Sequence, residues 1–364
     1  MKEICPSSDG ELNSSRRRKG GRVPLWALLL GDVAMAALIL GVFFMFYGMA
    51  PEAGAEIQTA KPAPTVAAVK VPAATSVPIA ATPAVKAVAT PDVSRERGTF
   101  TLSEAVREKF SDTLIITDTS YRSPGISVEV SNHQTQVGED LLCYHVEDIY
   151  ISGIECFQTR FATGELDFYK GEPVLLLDRE ASAVVAMNGD YANTQKSGLL
   201  IRNGEHLLGG QNILDICVRY KDGSMETYGP GEYTEEELLS EDVWQLWKLG
   251  PRLLDEEGRA CTVFNTSNII LGKNPRSGLG YYEPGHYCFV VVDGRQSDHS
   301  DGLEMQEFAE LFEELGCVRA YNMDGGDSSV MTFNDSIYSR PSGGGRSLGD
   351  ILFICDPDSA EETE

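Results

Sequence analysis

An almost uninterrupted apolar run from Pro24 to Met49 constrains this chain more than any other feature of its sequence. As a helix it would be about 39 Å long, enough to cross the ~30 Å hydrocarbon layer of a bilayer with some tilt. Only Asp32 interrupts the run, and four consecutive basic residues, 16–19, precede it. Because basic residues that flank a span stay in the cytoplasm, we expect a cytoplasmic basic tail over 1–23, a transmembrane helix over 24–49 and an extracellular remainder. The predicted localisation is therefore the cell membrane, with a single pass.

A cleaved signal peptide is the alternative, for which Ala53-Gly54-Ala55 would be a suitable cleavage site. The apolar region of a signal peptide has only about 7–15 residues, so we favour an uncleaved signal-anchor. Residues 50–97 consist mainly of Ala, Pro, Val, Thr and Lys and contain no aromatic side chain. This composition cannot build a core and predicts an extended Pro/Ala-rich linker.

Charge excludes one class of partner. The chain has 55 acidic and 30 basic residues, and eight of the acidic and eleven of the basic ones precede residue 98. The remainder therefore carries 47 acidic and 19 basic side chains. A surface with this excess of acidic side chains repels the phosphate backbone of nucleic acids, and we expect no nucleic-acid partner.

The region after residue 97 has the pattern of a sheet-rich globular domain. Short apolar runs are separated by turn pairs such as Asp222-Gly223, Asn203-Gly204 and Glu257-Gly258, which indicates β-hairpins. Helical periodicity is clear over 302–315, with Gly316 as its stop, and weaker over 101–110 and 235–247. Strands are expected at 114–117, 126–130, 147–153, 155–161, 174–177, 183–187, 198–202, 213–220, 262–264, 268–271, 287–293, 330–333 and 351–355.

These elements predict the α+β class: a single extracellular domain with a mixed, largely antiparallel sheet and a few helices, preceded by the transmembrane helix and the linker. Within it we expect a lead-in segment over 98–139, the main body over 140–356 and an acidic tail over 357–364.

Seven cysteines follow residue 97, and because seven is odd, at least one lacks a disulfide partner. No CxxC pair and no Cys/His group with the spacing typical of a zinc site is present. Several cysteines lie in apolar strand-like runs, so we expect mainly buried free thiols, with one or two bridges as the alternative for an exported protein.

Three polar, glycine-rich clusters follow predicted strands, at 187–191, 274–302 and 321–346. Asn-Gly and Asp-Gly pairs are common turn formers, so a single such pair is compatible with a simple turn. The third cluster differs, because residues 321–329 hold one Asn, two Asp and two Ser beside paired glycines, whose backbone N–H groups suit an anion.

Three arginines, Arg276, Arg295 and Arg346, stand on separate loops of this acidic domain. Arginine grips phosphate in bidentate fashion, although any one of them is also compatible with a structural salt bridge. His299 is a single histidine in a charged loop, open to a pocket role or a structural one. No GxSxG, HExxH, P-loop or EF-hand motif occurs. No cofactor is fixed, and the Asp-rich loops are compatible with Ca²⁺ without defining a ligand set.

Taken together and in order, these motifs resemble those of the bacterial phosphodiester glycosidase family over about residues 140–356. The family pattern has an Asn-Gly-aromatic strand end, an Asn-Pro-Arg-Thr/Ser turn, an Asp-Gly-Arg strand end, a glycine before a helix, a DGG-x-SS segment and a late arginine. The corresponding residues here are Asn188-Gly189-Asp190-Tyr191, Asn274-Pro275-Arg276-Ser277, Asp293-Gly294-Arg295, Gly302, Ala320 to Ser329, and Arg346. Each piece alone is unspecific, and the combination is specific.

The resemblance implies hydrolysis of a sugar-1-phosphodiester at the anomeric carbon, which releases free sugar and a phosphomonoester. It implies a catalytic carboxylate, Asp324 as first choice and Asp293 as second, to stabilise an oxocarbenium-like centre, activate water or act as nucleophile. The arginines would neutralise the leaving phosphate. The other implied site residues bind phosphate (Arg276, Arg295, Arg346, Ser328, Ser329, Gly325 and Gly326) or substrate (Asn188, Gly189, Asn322 and His299).

Three functions follow as hypotheses. The first is an outward-facing hydrolase that acts on a glycan or sugar-phosphate in cell-wall polymer, capsule or exopolysaccharide metabolism. The alternative is a non-catalytic module on the same scaffold that binds envelope polysaccharide during assembly. A third is cleavage of the P–O bond, which would release sugar-1-phosphate.

Overall fold

The computed structural model describes residues 101–137 and 140–357. The predicted cytoplasmic tail, the transmembrane helix at 24–49, the linker and most of the acidic tail lie outside these residues, so the expectations for them stay predictions. Between residues 101 and 357, as far as the structure describes them, no helix is both long and apolar enough to cross a bilayer.

Five α-helices and seventeen β-strands make up the described part of the chain. The helices are α1 (Glu104–Arg107), α2 (Val174–Ala181), α3 (Glu235–Ser240), α4 (Asn268–Leu271) and α5 (Met305–Glu314). The first strands are β1 (Ile115–Ile116), β2 (Ser120–Arg122), β3 (Ile126–Val137), β4 (Asp140–Ile151), β5 (Phe157–Phe161), β6 (Val185–Asn188), β7 (Leu200–Arg202) and β8 (Glu205–Leu208). The others are β9 (Ile216–Tyr220), β10 (Met225–Tyr228), β11 (Val243–Trp247), β12 (Arg276–Glu283), β13 (His286–Val292), β14 (Arg319–Asn322), β15 (Met331–Phe333), β16 (Ser336–Ile337) and β17 (Asp350–Ile354).

The strands form three sheets, and every strand pair among the described residues is antiparallel. A seven-stranded sheet has the order β1-β2-β3-β4-β13-β12-β14. Two five-stranded sheets have the orders β10-β9-β11-β7-β8 and β16-β15-β6-β17-β5. This sheet-rich α+β architecture with few helices confirms the predicted class.

One large hydrophobic cluster holds the three sheets together. It includes Phe289 of the seven-stranded sheet, Trp247 of the second sheet, and Met187 and Leu352 of the third, all fully buried. Because apolar burial is the main favourable term in folding, this shared core makes the three sheets one packing unit.

Helix α5 covers the other face of the seven-stranded sheet. Its Phe308 and Phe312 pack with Val290 in a second buried cluster, while Phe289, the residue before Val290 in β13, faces the first. Strand β13 is therefore buried on both faces, which explains why its sequence is almost continuously apolar. The helix begins at a capping box formed by Glu304 and Glu307, and it stops before Gly316, as predicted.

Several predicted elements were wrong. Segment 174–177 is not a strand but the start of α2, whose buried side chains Val174, Leu177 and Asp178 share one helical face. Segment 268–271 forms the single turn α4, and 262–264 is not a strand. The predicted helix 235–247 ends at Ser240, after which the chain continues as β11.

Candidate active site

The predicted site residues gather where the seven-stranded sheet meets the third sheet. Antiparallel pairing places the start of β12 beside the ends of β13 and β14, since Arg276 pairs with Val292 and Gly278 with Asn322. The end of β6 adjoins this edge, because Ser277 Oγ donates a 2.7 Å hydrogen bond to Asn188 Oδ1.

A cavity of about 350 Å³ opens at this junction. Three larger cavities among the described residues, of about 580, 740 and 400 Å³, contain none of the predicted site residues. The junction cavity is lined by Tyr191, Leu249, Gly250, Ile269, Ile270, Asn274, Pro275, Arg276, Arg295, Asn322, Met323, Asp324, Gly325 and Gly326. Its wall thus combines apolar side chains with a few polar groups, as ligand sites do.

Asp324 is a partly buried carboxylate on the cavity wall. Its Oδ2 accepts a 2.6 Å hydrogen bond from Ser328 Oγ and lies 2.5 Å from Nη2 of Arg346. Burial raises the pKa of Asp324, while the Ser328 hydroxyl and the Arg346 guanidinium oppose the rise. Oδ1 has no hydrogen-bond partner among the described residues, so one oxygen is free to act.

Arg346 presents its charge to solvent as well as to the carboxylate. Its Nε donates to Ser328 Oγ at 2.6 Å, and its guanidinium stacks 4.9 Å from the ring centroid of Tyr191. The side chain remains 41% exposed. Arg346 is not one of the residues that line the cavity, but it holds Asp324, which does, and its exposed part is open to an anion.

Arg295 lies on the same cavity with a different partner. Its Nη1 is 2.8 Å from Asp327 Oδ1, and its Nη2 donates to Asn274 Oδ1 at 2.9 Å. Gly326 has a φ of +67°, and a Cβ there would approach the Arg295 guanidinium to 3.0 Å, so only glycine leaves this space. Asp327 offsets part of the charge that Arg295 brings to the cavity.

Arg276 is largely committed to the backbone. It is 2% exposed, and its Nε and Nη2 donate to the carbonyls of Leu303, Leu271 and Gly272. Burial lowers its pKa to about 10. These bonds favour a structural role in shaping the cavity, and its predicted contact with phosphate stays a prediction.

Asn188 is also committed to the protein. Its Nδ2 donates to the carbonyl of Asp324 at 2.7 Å, and its Oδ1 accepts from Ser277 and from the N–H of Val330. The neighbouring Gly189 carbonyl accepts from the Asp324 N–H at 3.3 Å. Both residues thus position Asp324, and the structure places neither on the cavity wall.

The remaining predicted residues of this junction differ in how many of their hydrogen-bonding atoms have a partner. Asn322 lines the cavity, its Nδ2 donates to the Gly250 carbonyl at 2.8 Å, and its buried Oδ1 has no partner among the described residues. Ser329 is buried, with its Oγ likewise unpartnered there. Gly325 lines the cavity and approaches the Pro275 carbonyl, which a Cβ would meet at 2.8 Å.

Asp293 and His299 lie together but not on the wall of this cavity. Asp293 Oδ2 is 2.7 Å from His299 Nε2 and 2.9 Å from His145 Nε2, and its Oδ1 accepts from the Arg340 N–H. Burial would raise the pKa of Asp293, but the hydrogen bonds from the two histidines outweigh it and lower that pKa. The two predicted catalytic carboxylates therefore stand in separate surroundings, and a catalytic role for Asp293 stays a prediction.

A buried charge cluster behind the site was not predicted from the sequence. Arg202 Nη2 lies 2.7 Å from Asp190 Oδ1 and 3.3 Å from Asp350 Oδ2, and all three side chains are almost fully buried. Gly189 has no room for a side chain, since a Cβ would meet the Asp350 carboxylate at 2.2 Å. Asp190 stands in the first predicted polar cluster, but nothing in the sequence joined it to Arg202 or Asp350.

Residues 181–355 match the family model described as phosphodiester glycosidase. The SPbeta prophage-derived uncharacterized protein YomE of Bacillus subtilis (strain 168) is 29% identical over 194 residues, which cover 51% of this chain and 30% of that protein. N-acetylglucosamine-1-phosphodiester α-N-acetylglucosaminidase from Bos taurus is 26% identical over 186 residues, covering 45% of this chain and 34% of the enzyme. The Mus musculus enzyme of that name is 25% identical over 236 residues, covering 58% of this chain and 42% of the enzyme.

The chain thus spans less than half the length of these curated relatives. A solved structure, the zebrafish N-acetylglucosamine-1-phosphodiester α-N-acetylglucosaminidase catalytic domain auto-inhibited by its pro-peptide, is similar with a TM-score of 0.53 and 20% identity. The similarity covers 72% of this chain and 96% of that one, and it shows the fold. Residues 181–355 of this chain are thus similar to the phosphodiester glycosidase family.

Proposed function

We propose that this chain hydrolyses a sugar-1-phosphodiester at the anomeric carbon, with Asp324 as the catalytic carboxylate. One observation carries the proposal: Asp324 stands partly buried at a cavity, fixed through Oδ2 by Ser328 and Arg346, with Oδ1 unpartnered among the described residues. Similarity to the phosphodiester glycosidase family supports the reaction class. The names of the cow and mouse relatives suggest an N-acetylglucosamine-1-phosphodiester as the first substrate to try.

The reaction breaks the bond between the anomeric carbon and the phosphate oxygen. The bond electrons leave with the phosphate, and water supplies the hydroxyl that the sugar retains. An ionised Asp324 would stabilise the positive charge that develops on the sugar ring, attack the anomeric carbon or take the proton of the water. Phosphate is a good leaving group, so the main task of the protein is to neutralise its charge.

Arg346 and Arg295 are the cations suited to that task. Both are about half exposed, and Arg295 lines the cavity wall. Fixed cations aimed at charge that develops in the transition state are worth more than mobile ones in water. Tyr191, beside Arg346, offers a ring face on which a sugar can stack.

We further propose that this domain faces outward from the cell membrane, anchored by residues 24–49. Its natural substrate would then be a glycan phosphodiester of cell-wall polymer, capsule or exopolysaccharide. The apolar run of 24–49 and the basic residues before it support this assignment.

The test uses the full chain with the methyl phosphodiester of N-acetylglucosamine-1-phosphate. Products are read by phosphorus NMR and by sugar analysis for wild type, Asp324→Asn and the control Asp335→Asn, which alters an exposed carboxylate paired with Arg179. We expect free sugar and methyl phosphate from wild type and the control. The Asp324 variant should lose at least about 100-fold in rate. Equal turnover by both variants would refute the role of Asp324.

The second candidate is a non-catalytic module that binds envelope polysaccharide. The ion pair between Arg295 and Asp327 favours it, because Asp327 offsets a cation that a phosphodiester would otherwise meet. This candidate predicts saturable binding of phosphate-containing glycan, measured by calorimetry, with no product released by wild type.

A further inference from the structure

Three side chains with metal-ligating atoms meet beside the end of β13, and a fourth adjoins them. The three are Cys143 of β4, Asp293 directly after β13 and His299 from the loop that follows, and the fourth is His145 of β4. We propose that these four side chains form a binding site for one divalent transition-metal ion, for which Zn²⁺ is the best match. This site does not rest on the proposed hydrolysis, since ion binding can be measured without turnover.

Strand pairing explains how Cys143, His145 and Asp293 come together. Alternate residues of a strand point to the same face, so Cys143 and His145, two positions apart, face the same way. The Asp293 N–H donates to the Cys143 carbonyl at 3.0 Å, which sets Asp293 directly beside Cys143. Three ligating side chains thus sit on two adjacent, rigid strands.

A tight turn returns His299 to the same place. The His299 and Ser300 N–H groups both donate to the Gln296 carbonyl, at 2.8 and 2.7 Å. Ser300 Oγ then donates to the Asp293 carbonyl at 2.6 Å and accepts from the Cys143 N–H at 3.1 Å. One buried hydroxyl therefore fixes the two backbones that carry the cluster.

The ligating atoms are close enough for one ion. Cys143 Sγ, a carboxylate oxygen of Asp293 and a ring nitrogen of His299 all lie within 4.8 Å of one another. His145 Nε2 is 2.9 Å from Asp293 Oδ2 and 3.9 Å from Cys143 Sγ. A tetrahedral zinc site with bonds of about 2.0–2.3 Å has its ligands about 3.3–3.7 Å apart, so shifts on the order of 1 Å would place Cys143, Asp293 and His299 around one ion, with His145 beside them as the fourth ligand.

The ligand set selects the class of ion. One sulfur, two imidazole nitrogens and one carboxylate oxygen are the donors that zinc prefers. Ca²⁺ and Mg²⁺ prefer shells made only of oxygen, which these four side chains do not supply. A thiolate and a carboxylate also balance the charge of a divalent cation.

The hydrogen bonds within the cluster converge on one carboxylate oxygen. His145 is 2% exposed and reaches Asp293 through Nε2. Both imidazoles compete for the same Asp293 oxygen, while the other oxygen is held by the Arg340 N–H.

The consequence concerns the loop that follows β13. Arg295, two residues after Asp293, lines the cavity. The loop that carries it runs from Asp293 to His299, and the cluster joins both ends of this loop to β4. An ion bound here would hold that loop in place from outside the cavity. Its role would be structural, and the residues that bind it would position Arg295 without touching substrate.

The experiment titrates the full chain, reduced and freed of metal by chelation, with Co²⁺ and then Zn²⁺. We expect one equivalent of Co²⁺ to give a thiolate charge-transfer band and the intense visible bands of tetrahedral cobalt, both removed by Zn²⁺. Cys143→Ser should abolish the charge-transfer band, and His299→Gln should weaken binding at least about 100-fold. Cys261→Ser, a partly exposed thiol outside the cluster, should leave the spectrum unchanged.

Circular dichroism would establish that each variant is folded. Because His299 is partly exposed, His299→Gln tests the site even if Cys143→Ser fails to fold. Absence of a cobalt spectrum in wild type, or an unchanged spectrum in both cluster variants, would overturn the proposal. Neither result depends on whether the chain hydrolyses a phosphodiester.

Discussion

Arg346 and Asp324 form an ion pair in which Nη2 lies 2.5 Å from Oδ2, while Nε of the same arginine bonds to the Ser328 hydroxyl that also donates to that oxygen. The three side chains Asp324, Ser328 and Arg346 are thus each bonded to the other two. This arrangement fixes the carboxylate while leaving the arginine 41% exposed.

Replacing Arg346 by lysine keeps the charge but cannot reproduce both contacts. We expect kcat for phosphodiester hydrolysis to fall about 10–100-fold. Burial already raises the pKa of Asp324 and Arg346 opposes that rise, so the acid limb of the kcat/KM profile should move to higher pH. The matched control is Arg340→Lys, an exposed guanidinium 3.7 Å from Asp298. An unchanged profile in Arg346→Lys would contradict the assignment.

Removing the charge of Asp327 should strengthen substrate binding. Asp327→Asn frees Arg295 from its ion pair, and because the pair is about half exposed, the gain is limited to about 0–1 kcal/mol. We expect KM to fall by up to about fivefold with kcat unchanged. Asp335→Asn, which breaks an exposed pair with Arg179, serves as control. A rise in KM would show that Asp327 helps to bind substrate.

Stability should depend on pH through Asp350. Burial, followed by the Asp190 charge, raises its pKa to about 7, while Arg202 opposes the rise. The folded state therefore holds a proton that the unfolded state releases near pH 4. The contribution of the protonated Asp350 to the free energy of unfolding is lost as pH rises from about 4 through 7. Asp350→Asn resembles the protonated form and should flatten part of the decline in unfolding free energy between pH 5.5 and 8, measured with urea. The decline should persist in Asp335→Asn, and a wild type more stable at pH 8 would contradict the account.

Asn188 joins the third sheet to the site, so its removal should affect both stability and activity. Asn188→Ala leaves the Ser277 hydroxyl, the Val330 N–H and the Asp324 carbonyl without their partner. Unsatisfied buried groups of this kind predict a loss of about 2–4 kcal/mol in urea unfolding. Asn265→Ala removes an exposed amide and should cost under about 1 kcal/mol. Comparable losses in the two variants would refute the role given to Asn188.

The sequence predicted the sheet-rich class and the clusters at strand ends because both depend on local patterns. Alternation and turn pairs located most strands, including the apolar β13. The errors fell on short apolar runs such as 174–177, where periodicity alone cannot separate a strand from a buried helical turn.

Contacts between residues distant in the chain were not predictable in the same way. Arg202 meets Asp350 across 148 positions, and His145 meets Asp293 across another 148. The proposed metal ligands show no spacing typical of a zinc site, because Cys143 and His145 lie about 150 positions before Asp293 and His299. A Cys-x-His pair within a strand was the one local signal, since it places Cys143 and His145 on the same face.

The most direct test of the central claim is turnover of the methyl phosphodiester of N-acetylglucosamine-1-phosphate by the full chain in water enriched in oxygen-18. Cleavage at the anomeric carbon predicts that the label enters the sugar, read by mass spectrometry, and that methyl phosphate shows no isotope shift in phosphorus NMR. Label in the phosphate product would mean that the P–O bond is cleaved and would contradict the account.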